Sequence, residues 1–152
     1  MEVDVTLEER YWYPDDGGQV WVAGYVPVDA QGRFIGRDAL AARGLHTASV
    51  AGAAAHHDDV LQGADLEPGA PLTLRRDPGN PHDPQAIAVH APGGGQLGFV
   101  PREVAAELAP LVDAGKPWSA VLLRERRASP RDPRTGVTML LAPAGELTLR
   151  VR

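Results

Sequence analysis

The chain has 152 residues, 43% of them hydrophobic, enough to bury one core in a compact domain with a terminal extension. It contains no cysteine, which excludes disulfide stapling and thiolate metal sites. A net charge of −5 argues against a protein that coats nucleic acid nonspecifically.

The acidic start MEVDVTLEER is no signal peptide, and no apolar run approaches the roughly 18–20 residues of a membrane span. A cytoplasmic protein without membrane contact is the expectation. Every basic residue but Lys116 is arginine, and Ala, Gly and Pro are abundant, a bias of GC-rich bacterial genomes. Val3 to Tyr13 and Gln19 to Val28 are rich in β-branched and aromatic residues, with the hairpin signal PDDGG between them. Trp12, Trp21 and Tyr25 are candidates for cross-strand stacking. VDAQGRF reads as a second turn, and RDALAARG as a short helix closed by Gly44.

LHTASVAG is a strand candidate, and AAAHHDDVLQGADL follows with Asp58 or Asp59 placed to cap a short helix. PLTLRR alternates as a strand does, DPGNPHDP is a loop crowded with breakers, and AIAVHA resumes as a strand. PGGG turns the chain into QLGFV. In PREVAAELAPLVDAG, Val104, Leu108, Leu111 and Val112 recur at helical spacing up to Gly115. WSAVLLRERR and GVTMLLAP form a closing strand pair across the loop ASPRDPRT, and ELTLRVR supplies a last edge strand. The fold class expected is mainly β with one or two short helices: a small, partly open β-barrel carrying an N-terminal β extension. Its divisions are an N-terminal β-hairpin extension (1–44), the barrel domain (45–143) and a C-terminal edge strand or tail (144–152).

Charge is uneven along this plan. Residues 1–44 carry a balance of −4, with eight acids against four bases. Residues 116–134 set Lys116, Arg124, Arg126, Arg127, Arg131 and Arg134 against Glu125 and Asp132, a balance of +4. That basic edge fits one phosphate strand, although charge alone favours a solvated arginine loop.

Residues 75–108, RRDPGNPHDPQAIAVHAPGGGQLGFVPREVAAEL, resemble the signature of the HIRAN domain family. The matching elements are Arg76-Asp77-Pro78, Asn80-Pro81-His82-Asp83, Ala86-Ile87-Ala88-Val89, Gly98-Phe99-Val100-Pro101-Arg102 and the helix from Ala105 to Leu108. Upstream, Val50-Ala51-Gly52 matches the V-x-G strand of that family, so the similarity spans about residues 45–143. The resemblance implies an OB-like barrel that binds single-stranded DNA or free 3′ DNA ends in repair, replication or a phage-related setting. It also implies a helicase or nuclease partner, no cofactor and no catalysis by the chain itself. No GxxxxGK[ST] phosphate loop is present, so any ATP-driven step belongs to that partner.

The resemblance assigns Asp83 to a terminal 3′-hydroxyl, a donor that a carboxylate can accept from. Read from the residues alone, Asn80 and Asp83 also fit Asx turns that bond nearby backbone amides. His82 stands where the family often has Tyr, offering less area for base stacking. Arg76 and Arg102 have the fork that suits phosphate oxygens, although Arg102 could instead pair with Glu103 or Glu107. Phe99 is either a core residue or a stacking platform. After Gly52, where relatives place aromatic and basic residues, this chain has Ala53-Ala54-Ala55, leaving His56 or His57 to supply a ring. Two alternatives remain open: a protein-interaction module with a degenerate DNA groove, and a metal-dependent phosphodiesterase built on His56-His57-Asp58-Asp59. The last is disfavoured because adjacent residues diverge in direction.

Overall fold

A computed structural model describes residues 1–13 and 18–152. Most of the PDDGG hairpin signal therefore lies outside the described residues, but the strands on either side of it form. β1 (Glu2–Trp12) and β2 (Val20–Pro27) pair antiparallel from Val5↔Pro27 to Trp12↔Val20. That register sets Trp21 opposite Tyr11 and Tyr25 opposite Leu7, so Trp12, Trp21 and Tyr25 are not the cross-strand partners expected.

Among the described residues the order continues α1 (Arg37–Ala42), β3 (His46–Ser49), α2 (Ala53–His56), α3 (Asp58–Gly63), β4 (Pro71–Arg76), β5 (Ile87–His90) and β6 (Gln96–Phe99). It ends with α4 (Arg102–Asp113), β7 (Ser119–Arg127), β8 (Arg134–Ala142) and β9 (Thr148–Val151). The chain is mainly β, as its sequence indicates, with more short helices than expected: α2, a single turn, is not legible in AAAHH. Asp58 and Asp59 do not cap α3. They occupy its first turn, where a negative charge complements the helix dipole, and His57 takes the cap position. No helix among the described residues is long and apolar enough to cross a membrane.

The β7–β8 hairpin is the spine, and its continuous apolar runs show that both faces are buried. Ala120, Leu122, Met139 and Leu141 point into one core, while Val121, Leu123, Leu140 and Ala142 point into a second. The first core fills a small barrel whose strands run β3-β8-β7-β4-β5-β6. Leu61 from α3 and Ala105 and Leu108 from α4 complete it.

Among the described residues that circuit is closed only at one point, between Ala51 and Phe99. The two residues exchange backbone hydrogen bonds of 2.8 and 2.9 Å, each donating its N–H to the other's carbonyl. On the far side β4 meets β7 through the short ladder Pro71↔Val121 and Leu72↔Ala120, extended by backbone bonds of Gly69 and Ala70 with Leu122. Closure depends on Gly98. A Cβ there would overlap the Ala51 carbonyl oxygen and lie 2.7 Å from Val50 Cγ1.

Residues 1–44 do not complete the barrel. β2 pairs with the distal half of β7, from Trp21↔Arg127 to Gly24↔Arg124, and β9 runs parallel to the outer edge of β1. Val3, Val5, Ile35 and Leu40 pack on the outward face of the spine as a second layer. Arg150 donates to both oxygens of Asp4, at 2.7 and 3.0 Å, and holds that carboxyl below the usual carboxylate range.

Gly98→Ala is expected to destabilise the fold by about 1–3 kcal/mol or more, the usual cost of forcing volume into a packed site. Gly79→Ala, which enters open space, should stay within about 0.5 kcal/mol of wild type. Urea unfolding of both variants checks the contrast.

Candidate nucleic-acid interface

The loop between β4 and β5 contains Pro78, Pro81 and Pro84, which remove three backbone donors and narrow its conformations. Side-chain bonds to its own backbone amides shape the turn. Asn80 Oδ1 accepts from the backbone N–H of His82 at 2.9 Å and of Asp83 at 3.2 Å, while Asn80 Nδ2 donates to Asp77 Oδ2 at 3.1 Å. Asp83 Oδ1 accepts from the Gln85 N–H at 2.9 Å. Both residues thus make the Asx bonds that turn chemistry suggests. Asp83 Oδ2 takes no hydrogen bond from any described residue.

Arg76 holds this loop from below. Its Nε and Nη2 bond the two oxygens of Asp113 at 2.9 and 3.2 Å, and further bonds reach the carbonyls of Ala86 (2.8 Å) and Pro84 (3.0 Å). The Asp113 carboxylate raises the Arg76 pKa, and the guanidinium in turn lowers that of Asp113. With its side chain 16% exposed and four N–H groups engaged, Arg76 is a clamp that ties the loop to the end of α4.

Arg102 is the opposite case, with its side chain 71% exposed. One Nη2 hydrogen goes to the His82 carbonyl at 2.8 Å, and Nε lies 3.7 Å from Asp83 Oδ2, beyond hydrogen-bond range. It pairs with neither Glu103 nor Glu107. The His82 ring is exposed beside it. So the fold gathers Asn80, His82, Asp83 and Arg102 at one place, where the loop meets the first turn of α4.

Phe99 is half-buried on β6, and the ring nearest it is His57, edge-on at 6.4 Å between centroids. His57 approaches Phe99 at the barrel seam, while the His56 ring lies over Gly52, next to Ala51. His56 is exposed on α2 and makes no hydrogen bond or ion pair to the other candidates. No group of three or more His, Asp or Glu among the described residues is arranged to hold a metal ion.

The basic edge at 116–134 is divided by the fold. Arg127 and Arg134 close on Glu125 at 2.9 and 2.6 Å. Arg124 and Arg126 instead line a groove of about 490 Å³ together with Arg10, Trp12 and Arg37. The sequence reading missed this constellation, and its signal was the alternation in Arg124-Glu125-Arg126 and in Arg10-Tyr11-Trp12.

The rim of a partly open β-barrel thus bears an exposed cation beside a carboxylate on a fixed loop. The HIRAN domain pattern matches residues 46–133, more than half of the chain, and the protein belongs to the HIRAN domain family, whose members bind DNA. A 52-residue stretch is 50% identical to a Fanconi-associated nuclease 1 homolog from Oryza sativa subsp. japonica, covering 32% of this chain and 5% of that protein. The chain therefore corresponds to a small part of that relative. Two solved structures are similar. The HIRAN domain of human HLTF has 23% identity and a TM-score of 0.46, over 64% of this chain and 74% of that one. A Lactobacillus plantarum protein has 22% identity and a TM-score of 0.47, over 63% and 91%.

Arg76→Ala should lower the thermal midpoint by several degrees at neutral pH. Asp113 has a depressed pKa in the folded state, so its pairing stabilises the fold above about pH 3.8 and is lost as pH falls through the folded value. The stability gap between wild type and Arg76→Ala is expected to narrow on acidification below pH 3.8, read by thermal melts across pH.

Proposed function

We propose that the protein binds single-stranded DNA at a free 3′ end, as the DNA-recognition part of a repair or replication assembly. The observation that carries this reading is the unused Oδ2 of Asp83. It sits on a loop whose turn is fixed by bonds from backbone amides to Asn80 Oδ1 and Asp83 Oδ1, and Arg102 lies beside it with hydrogens to spare. An isolated carboxylate repels phosphate, but a terminal hydroxyl is a donor it can accept from. Arg102 then takes the last phosphate with its remaining N–H groups, and the His82 ring offers a face to the terminal base. Asn80 and Arg76 act as positioning residues: one fixes the two amides that shape the turn, the other fixes the loop against α4. Phe99, with His57 at its edge, forms the wall nearest the seam, and His56 extends it on α2.

The role is binding, with any catalysis supplied by a nuclease or helicase partner. The stretch shared with the rice nuclease homolog supports a nuclease in that place.

Fluorescence anisotropy with a short single strand ending in a 3′-hydroxyl or a 3′-phosphate tests the reading. Wild type should favour the hydroxyl, and Asp83→Ala should erase the preference. His82→Tyr should tighten binding severalfold, since a larger ring recovers part of a stacking contribution of about 1–3 kcal/mol per base. Equal affinity for both termini in wild type would sink end recognition.

A further inference from the structure

The groove beside β7 lies outside the loop site, and part of it comes from residues that precede the family match. Its floor is the outward face of the spine. A bulge between Leu122 and Arg124 reverses the alternation, so that Leu122 pairs with Met139 and Arg124 with Thr138. Arg124 and Arg126 therefore emerge on the face that is apolar lower down at Leu140 and Ala142. Arg126 lies across Gly136, where a Cβ would collide with its guanidinium.

The arginines of this groove are under-neutralised. Arg126 has a buried Nε without a partner and makes no side-chain hydrogen bond or ion pair to any described residue. Arg124 donates one long bond, 3.3 Å, to the Tyr25 carbonyl. Arg10 stands 3.7 Å from Glu8 and 5.7 Å from the Phe34 ring centre, and Arg37 is exposed at the start of α1. Burial pushes the Arg124 pKa down, helped by repulsion from Arg10 and Arg126 and only partly offset by the Glu8 carboxylate, and burial alone does so for Arg126. Such a cluster is destabilising unless an anion answers it. Two carboxylates, Glu103 in the lining and Glu8 beside Arg10, stand against four guanidinium groups.

The remaining lining narrows the ligand class. Thr47, Ser49 and Thr138 contribute hydroxyl-bearing side chains, and Trp12, 46% exposed, offers an indole. Guanidinium groups and hydroxyls suit phosphate, and an exposed indole beside them suits a base. The groove also adjoins the loop site. Pro101 and Glu103 line it, while Arg102, between them in sequence, reaches across to His82 and Asp83.

We propose that this groove is a second nucleic-acid subsite, holding backbone phosphates on Arg10, Arg37, Arg124 and Arg126 and stacking a base on Trp12. Its adjacency to the 3′-end pocket rests on the function proposed above, but its arginines and indole do not, and the two can fail separately. Arg10 and Arg37 are exposed, so replacing them spares the core.

The test uses the full chain and an oligonucleotide of about 12 residues, bearing either terminus, titrated across salt concentrations. Arg10→Ala/Arg37→Ala should weaken binding to both termini by about tenfold near 0.1 M salt. It should reduce the log–log salt slope by about 1.4, from ~0.7 per lost phosphate contact on a single strand. Trp12→Ala should weaken binding about fivefold or more without changing the slope. The ratio between termini should not move. Unchanged affinity and slope in these variants would overturn the subsite while leaving end recognition intact. A wild type that ignores the terminus yet loses affinity in these variants would keep the subsite and remove end recognition. Absence of oligonucleotide binding by wild type, or equal competition by polyglutamate at matched charge, would overturn the subsite as a nucleic-acid site.

Discussion

The exchange of two backbone hydrogen bonds between Ala51 and Phe99 is the constraint on which the rest of the interface depends. It joins the two ends of the barrel circuit at a single residue pair. The same pairing brings Val50-Ala51-Gly52 against Gly98-Phe99, two motifs that lie far apart in sequence. Neither motif has obvious chemistry of its own. Their residue types follow from close approach: a side chain at 98 would occupy the space of the Ala51 carbonyl. Once the seam is made, α2 leaves from one side of it and α4 from the other. His57 then meets Phe99, and Arg102 meets the Asn80–Asp83 loop.

The second organising element is the two-faced spine. Its β7–β8 hairpin contributes alternate residues to two separate cores, so the barrel and the N-terminal layer share one wall. The shared wall lets the outer layer add a surface without disturbing the inner one. Where the second core ends, the bulge near Leu123 exchanges apolar residues for arginines, and the outer layer forms one side of a basic groove. An acidic chain thereby presents a concentrated positive site, which net charge alone does not disclose.

Much of this was legible in the sequence. The strands of the barrel, α4 with its 3.6-residue apolar spacing, and the closing hairpin all have patterns that local physics decides. The family resemblance singled out Asn80, His82 and Asp83, and the fold brings their loop to Arg102. Arg76 was legible as a cation but not as a clamp, because its partner Asp113 lies 37 positions away on another element. The aromatic register in β1 and β2 depends on the turn between them, which composition does not fix. The groove was hidden for a related reason. Its arginines come from β1, α1 and β7, and only the packing of the outer layer on the spine brings them together.

The central claim is that the loop at 80–83 and the first turn of α4 form one site for a DNA end. Amide chemical-shift mapping with a short 3′-hydroxyl oligonucleotide tests it most directly, because every described element reports independently. The account predicts the largest perturbations at His82, Asp83, Phe99 and Arg102, with His57 close behind and the β9 edge silent. Perturbations that leave His82, Asp83 and Arg102 unmoved while binding persists would contradict it.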